Sequence, residues 1–206
     1  MKKIILVLTF LACGFLPVCA REITVSVEGG SYWKEKPQFA VWLEDLQGNY
    51  ISTLYVTKKA SKKSWYFSPK EGRPESLPVW YNASSSALKN EKLPAQKSSA
   101  VDAVTSATPK GGANFKSSIT DKNCVIKAEF NISFDYNDFY TKKNSGVNGQ
   151  PSVVYSAELP ENQIEEIILL FEGSGSLNGS DGKINSNVQN LTTAKEIVKF
   201  ITVKFI

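Results

Sequence analysis

The sequence predicts an all-β protein, an antiparallel β-sandwich with little helix, on three observations. Short runs rich in β-branched and aromatic residues recur along the chain, clusters of Gly, Asn, Ser and Pro separate them, and amphipathic helical periodicity is nearly absent. Strands of that kind bury their inward faces by stacking two sheets.

The first segment stands apart from this pattern. Met1-Lys2-Lys3 is positively charged, Ile4 to Leu16 is apolar, and Val18-Cys19-Ala20 precedes the polar Arg21-Glu22. A secretory signal peptide over 1–20, cleaved after Ala20, is expected. Its apolar run is shorter than the roughly 20 residues of a spanning helix, and no later run reaches that length, so no transmembrane helix is expected after cleavage. Cys13 and Cys19 raise lipid anchoring as a competing reading. Phe10 stands where a lipoprotein signal prefers Leu, and the bulky Val18 precedes Cys19, so both sites fit poorly. Cleavage leaves 186 of the 206 residues, 21–206, as one β-sandwich domain. Of the 3 cysteines only Cys124 remains, so no internal disulfide can form and the hydrophobic core must hold the fold. Cys124, within Cys124-Val-Ile-Lys-Ala-Glu-Phe130, reads as a small buried hydrophobe.

In order, Ile23–Val27 alternates, and Phe39–Leu43 and Ile51–Val56 are dense in strand formers. Leu46-Gln-Gly48-Asn49 supplies a positive-φ residue between the latter two, which predicts a hairpin. Ser64–Phe67 reads as a short strand. The best helical stretch in the first half starts at Asn82, where Asn or Ser can cap one or two turns before Pro94 ends it. An irregular crossing is expected over about 82–114, its last part rich in Ser, Ala, Thr and Gly. Further strands follow at Val125–Phe134, Ser152–Leu159, Ile164–Phe171 and Val198–Ile206.

Composition narrows the chemistry. The chain has no histidine, which removes Ser-His and Cys-His nucleophile pairs and the usual zinc and haem ligands, and no metal site is expected. Loss of Lys2 and Lys3 lowers the formal charge from +4 to +2, too mild for nucleic acid. The basic cluster Lys58–Lys63 and the acidic pairs Glu44-Asp45 and Glu165-Glu166 read as solvated turns and faces. Asn178-Gly-Ser-Asp181-Gly182 fails as a calcium loop, because Leu177 and Gly179 fall where oxygen ligands belong.

Phe134-Asp-Tyr-Asn-Asp-Phe-Tyr140 and Gly146-Val-Asn-Gly-Gln-Pro-Ser152 hold the most informative polar residues. Asp135 and Asn137 follow a strand where short polar side chains cap turns, and Asn148-Gly149 before Gln150-Pro151 specifies a bend. Asp135, Asn137, Asn148 and Gln150 are therefore candidate pocket-lining residues as well as corner caps. An enzyme built on Asp135 and Asp138 is a third reading.

With Pro37–Asp45, Arg73–Trp80, Val101–Gly112 and Leu191–Ala194, these stretches resemble a family of predicted periplasmic proteins known as a domain of unknown function, 2271 type. The resemblance implies an exported, immunoglobulin-like sandwich, often encoded near flavin-transfer and membrane redox components. Within Val101–Gly112, Asp102, Thr105, Ala107 and Thr108 match the pattern by which exported flavin-bearing domains take flavin mononucleotide (FMN) on the last Thr. Ser106 replaces the pattern's Gly, and Pro109 biases Thr108 toward extended geometry. The expected function is a non-catalytic binding or interaction module, periplasmic or secreted, with a protein partner in a periplasmic redox or envelope system and no cofactor. The alternative is a carrier of covalent FMN on Thr108, with Asp102 and Thr105 recognised by the transferase.

Overall fold

The computed structural model describes residues 20–60, 73–90, 104–106, 108–120 and 122–206. The leader 1–19, the strand expected at Ser64–Phe67, and Asp102 lie outside the described residues.

Two sheets stack face to face. The smaller is ordered β5-β1-β10-β8, from Gly112–Ile119 (β5), Arg21–Gly29 (β1), Val198–Phe205 (β10) and Ile167–Ile168 (β8). The larger is ordered β4-β3-β2-β6-β7-β9, from Val104–Ser106 (β4), Tyr50–Thr57 (β3), Gln38–Glu44 (β2), Cys124–Asn131 (β6), Val153–Leu159 (β7) and Leu170–Ser174 (β9). Among the described strands the pairings are antiparallel, except the short parallel β3–β4 edge.

The inner faces meet in one aromatic-rich core. Phe39 stacks on Tyr55 at 4.8 Å and on Phe130 at 5.1 Å, and Tyr55 stacks on Phe115 at 5.0 Å. Ile23, Val25 and Val27 of β1 alternate inward against them, with Cys124 buried in the same core. The predicted hairpin forms: Gly48 takes φ +82°, and the Asp45 carboxylate accepts from the amides of Gln47 and Asn49 at 2.9 and 2.8 Å.

Strand β2 is buried on both faces, which is why Phe39-Ala-Val-Trp-Leu43 reads as an unbroken apolar run instead of alternating. Phe39, Val41 and Leu43 face the smaller sheet. Ala40 and Trp42 face a second cluster with Val56, Leu77, Val79, Trp80 and Val154. Helix α1, Pro78–Asn90, lies over this outer face.

Three expectations need correction. The helix begins at Pro78, four residues before the expected cap, because proline suits the first helical position and its missing N–H costs nothing there. Asn82 instead turns its side chain back to the Pro78 carbonyl at 2.8 Å. Within the crossing expected over 82–114, the described residues 82–90 belong to α1 and 104–106 to the β4 edge, and β5 begins at Gly112, with Ala113, Phe115 and Ile119 inward. The run Ile164–Phe171 is two strands, not one. The chain passes from the smaller sheet (β8) to the larger (β9) at the buried Leu169.

Candidate functional site

The outer face of the larger sheet carries a seam of polar side chains beneath and beside α1. On β6, Lys127, Glu129 and Asn131 alternate outward with the inward Ile126, Ala128 and Phe130. On the neighbouring β2, Gln38 lies opposite Asn131 and Glu44 opposite Val125.

Glu129 is fully buried, and it caps α1 from another element. Its Oε2 accepts from the Trp80 amide at 2.8 Å, and its Oε1 accepts from the Val79 amide at 3.2 Å and the Ser152 hydroxyl at 2.6 Å. Leu77, which precedes the helix, has no side-chain acceptor to offer, so the carboxylate satisfies the orphan amides instead. Its partners among the described residues are two amides and a hydroxyl, none of them charged. Burial pushes the Glu129 carboxyl up to about 7, against the hydrogen bonds from Ser152, Trp80 and Val79 that lower it. A Cβ on Gly175 would lie 2.4 Å from Ser152 Oγ and 2.9 Å from Glu129 Oε1, so glycine is required for this closeness.

Farther along the seam, Glu44 accepts from Trp42 Nε1 at 2.8 Å and pairs with the Lys127 ammonium at 3.2 Å. Lys127 also reaches Glu172 of β9 at 3.7 Å. Glu44, Lys127 and Glu172 line a groove of about 580 Å³ between α1, the β2–β3 hairpin and the loop at Gly182–Ile184. Asn82, Ala83 and Ser86 of α1 form one wall, and Asn49 and Tyr50 the other. The groove therefore has a rigid floor, an ammonium held between two carboxylates, and hydrogen-bonding walls. Its size falls in the range of small-molecule pockets. Sequence reading missed it, because the alternation Lys127-Ala-Glu129-Phe-Asn131 is what a strand with one solvated face also shows, and the pairing of β6 with the doubly buried β2 appears only in the fold.

The residues expected from sequence divide into two places. Asp135 and Gln150 come together at a corner with Thr192 and Thr193. The Asp135 carboxylate accepts from the Thr193 hydroxyl at 2.7 and 2.8 Å and from Gln150 Nε2 at 2.8 Å, while Gln150 Oε1 accepts from the Thr192 amide at 2.7 Å. Burial raises the Asp135 carboxyl, opposed by hydrogen bonds from Thr193, Tyr32 and Gln150. Asn137 Nδ2 donates to the Asn190 carbonyl at 2.9 Å, and its Oδ1 accepts from the Tyr140 amide at 2.7 Å. Asn148 is buried and donates to Leu177 O at 3.3 Å. These groups satisfy loop backbone and one another, and Asp138 is exposed apart from them.

Thr108 lies elsewhere, half-buried, with its hydroxyl donating to the Pro37 carbonyl at 2.7 Å. Trp33 Nε1 donates to Pro109 O at 2.9 Å and pins the segment that leads into β5. Thr105 belongs to the β4 edge. A cleft of about 420 Å³ opens beside Thr108, lined in part by Lys34, Lys36 and Lys110. Three ammonium groups suit a phosphate, whereas the inward-turned hydroxyl must leave Pro37 before it can carry one. Among the described residues no group of three or more Cys, Asp or Glu is placed to hold a metal ion. No described helix is long and apolar enough to cross a membrane.

Compared with known proteins, the chain matches the family model described as Predicted periplasmic protein (DUF2271) over residues 20–137. No curated protein and no solved structure matches it. The matched stretch runs from β1 through β6 and takes in Glu44, Lys127, Glu129 and Thr108, while Gln150 and Glu172 lie beyond it. A match over more than half of the chain settles kinship: the chain belongs to DUF2271, a family of predicted periplasmic proteins.

Proposed function

We propose that this periplasmic protein is a non-catalytic binding module that takes a small polar ligand in the groove beside α1, in the service of a redox or envelope system. The observation that carries the reading is Lys127, held between Glu44 and Glu172 on the floor of an open groove whose walls are fixed by strands and a capped helix. A charge anchored on rigid elements recognises a ligand at small entropic cost. The test is thermal unfolding of the mature protein with fractions of periplasmic small molecules. A fraction that raises the melting temperature of the native protein should have little effect on Lys127→Met. Equal shifts in both proteins, or none from any fraction, would remove the groove as the site.

A second reading is covalent FMN on Thr108, and what favours it is the cleft with Lys34, Lys36 and Lys110 at that residue. FMN bound there would supply one- and two-electron transfer, and the lysines would balance its phosphate charge. Co-expression with a flavin transferase should then add one FMN to the intact mass and give a yellow protein, and Thr108→Ala should stay colourless. A colourless native protein of unmodified mass refutes this reading.

A further inference from the structure

The chain closes a loop between Asp135 and Gly149, which bridge in parallel, and the residue that opens it is strained. Phe134 takes φ +65°, a left-handed conformation that bulky aromatic residues rarely adopt. Little burial offsets this, because Phe134 is 63% exposed and its ring meets Tyr136 edge-on at 6.5 Å between centroids. The surroundings enforce the geometry. The Phe134 amide donates to Val147 O at 2.8 Å, the Gln150 amide donates to Asp135 O at 2.8 Å, and the Tyr136 hydroxyl donates to Gly146 O at 2.6 Å. Gly149, at φ +71°, is also required, since a Cβ there would lie 2.3 Å from Asp135 O. The buried Asp135–Gln150–Thr193 network locks the base of the loop from below.

A loop needing only to reverse the chain would place Asn or Gly at 134, where positive φ is cheap. This one presents an aromatic ring instead. Phe139 and Val147 on the same loop are 55% and 46% exposed, and Lys142 and Lys143 of the short helix Lys142–Ser145 (α2) are exposed beside them, against one exposed acid, Asp138. Apolar tips flanked by lysines are complementary to an interface of acyl chains beneath anionic headgroups. A stable protein interface covers roughly 800 Å² on each partner, more than three tips on one loop supply. Shallow insertion into a headgroup layer needs no such area, and the periplasm is bounded by membranes.

We propose that loop 134–147 docks the protein on an anionic lipid surface, with Phe134, Phe139 and Val147 entering the interface and Lys142 and Lys143 pairing with lipid phosphates. The corner residues Asp135, Asn137 and Gln150 then act as positioning residues for the loop.

Flotation of the mature protein with phosphatidylethanolamine vesicles containing phosphatidylglycerol, and with phosphatidylcholine vesicles as control, tests this. Binding is expected to the anionic vesicles, weakened about tenfold or more by Lys142→Glu with Lys143→Glu and by raised salt. Phe134→Asn is the decisive variant. Asn tolerates positive φ, so its melting temperature should rise by a few degrees while vesicle binding falls about tenfold. Equal binding to both vesicles, no binding to either, or unchanged binding by Phe134→Asn overturns the proposal. So does a lowered melting temperature in that variant, which would make Phe134 a packing residue. A crosslinked protein partner lost in Phe134→Asn without vesicle binding also overturns it.

Discussion

Glu129 joins the two structural halves of the outer face, and its environment sets a pH dependence. A carboxyl raised to about 7 in the folded protein, from an ordinary value of 4.5, binds more protons folded than unfolded between those two values. Stability from this group is therefore complete below about pH 4.5 and is lost as pH climbs toward 7, a change of about 3 kcal/mol. Melting temperature measured from pH 5 to 8 should fall with rising pH in the native protein. In Glu129→Gln it should be much flatter, since an amide keeps an acceptor for Trp80 without titrating; parallel curves for the two would refute the assignment. Nothing near Pro78 in the sequence announces this cap, because Glu129 lies about 50 positions along the chain. The local rule that seeks a cap beside the helix therefore pointed to Asn82. Asp135 and Gln150, by contrast, were each marked by turn chemistry at one end of the loop, whereas their meeting at one corner is set by the fold.

At the scale of elements, strands with internal periodicity were readable and those that depend on partners were not. β1, β7 and β10 fall close to their expected bounds, because alternation or apolar density alone defines them. β5 escaped because Ser117 and Ser118 dilute its pattern, and pairing with β1 supplies the rest, with Phe115 opposite Val25. The division of Ile164–Phe171 is a tertiary event: Leu169 fills the core between two sheets, and its amide donates to Ile201 O at 3.0 Å. The bend at Gly149 belongs to this scale too. Gly149→Ala places a Cβ against Asp135 O and strains a left-handed residue, so a loss of about 2 kcal/mol or more is expected in urea unfolding. A loss under about 0.5 kcal/mol would show that the loop base yields.

Taken whole, the molecule is a sandwich whose larger sheet is covered on both faces, by the smaller sheet inside and by α1 outside. The sandwich was legible because turns and β-rich runs alternate along the chain. The outer layer was not, because its helix is short of apolar residues and its anchoring is polar. That outer layer also builds the groove, so its attachment to the sheet is the claim on which the functional reading rests. Amide hydrogen exchange, compared between the native protein and Glu129→Ala, measures it most directly. The Val79 and Trp80 amides should exchange as slowly as those of β2 and β6 in the native protein. In the variant they should lose about a hundredfold of protection while the strands keep theirs. Fast exchange at Val79 and Trp80 in the native protein, or unchanged protection without the carboxylate, would contradict the account.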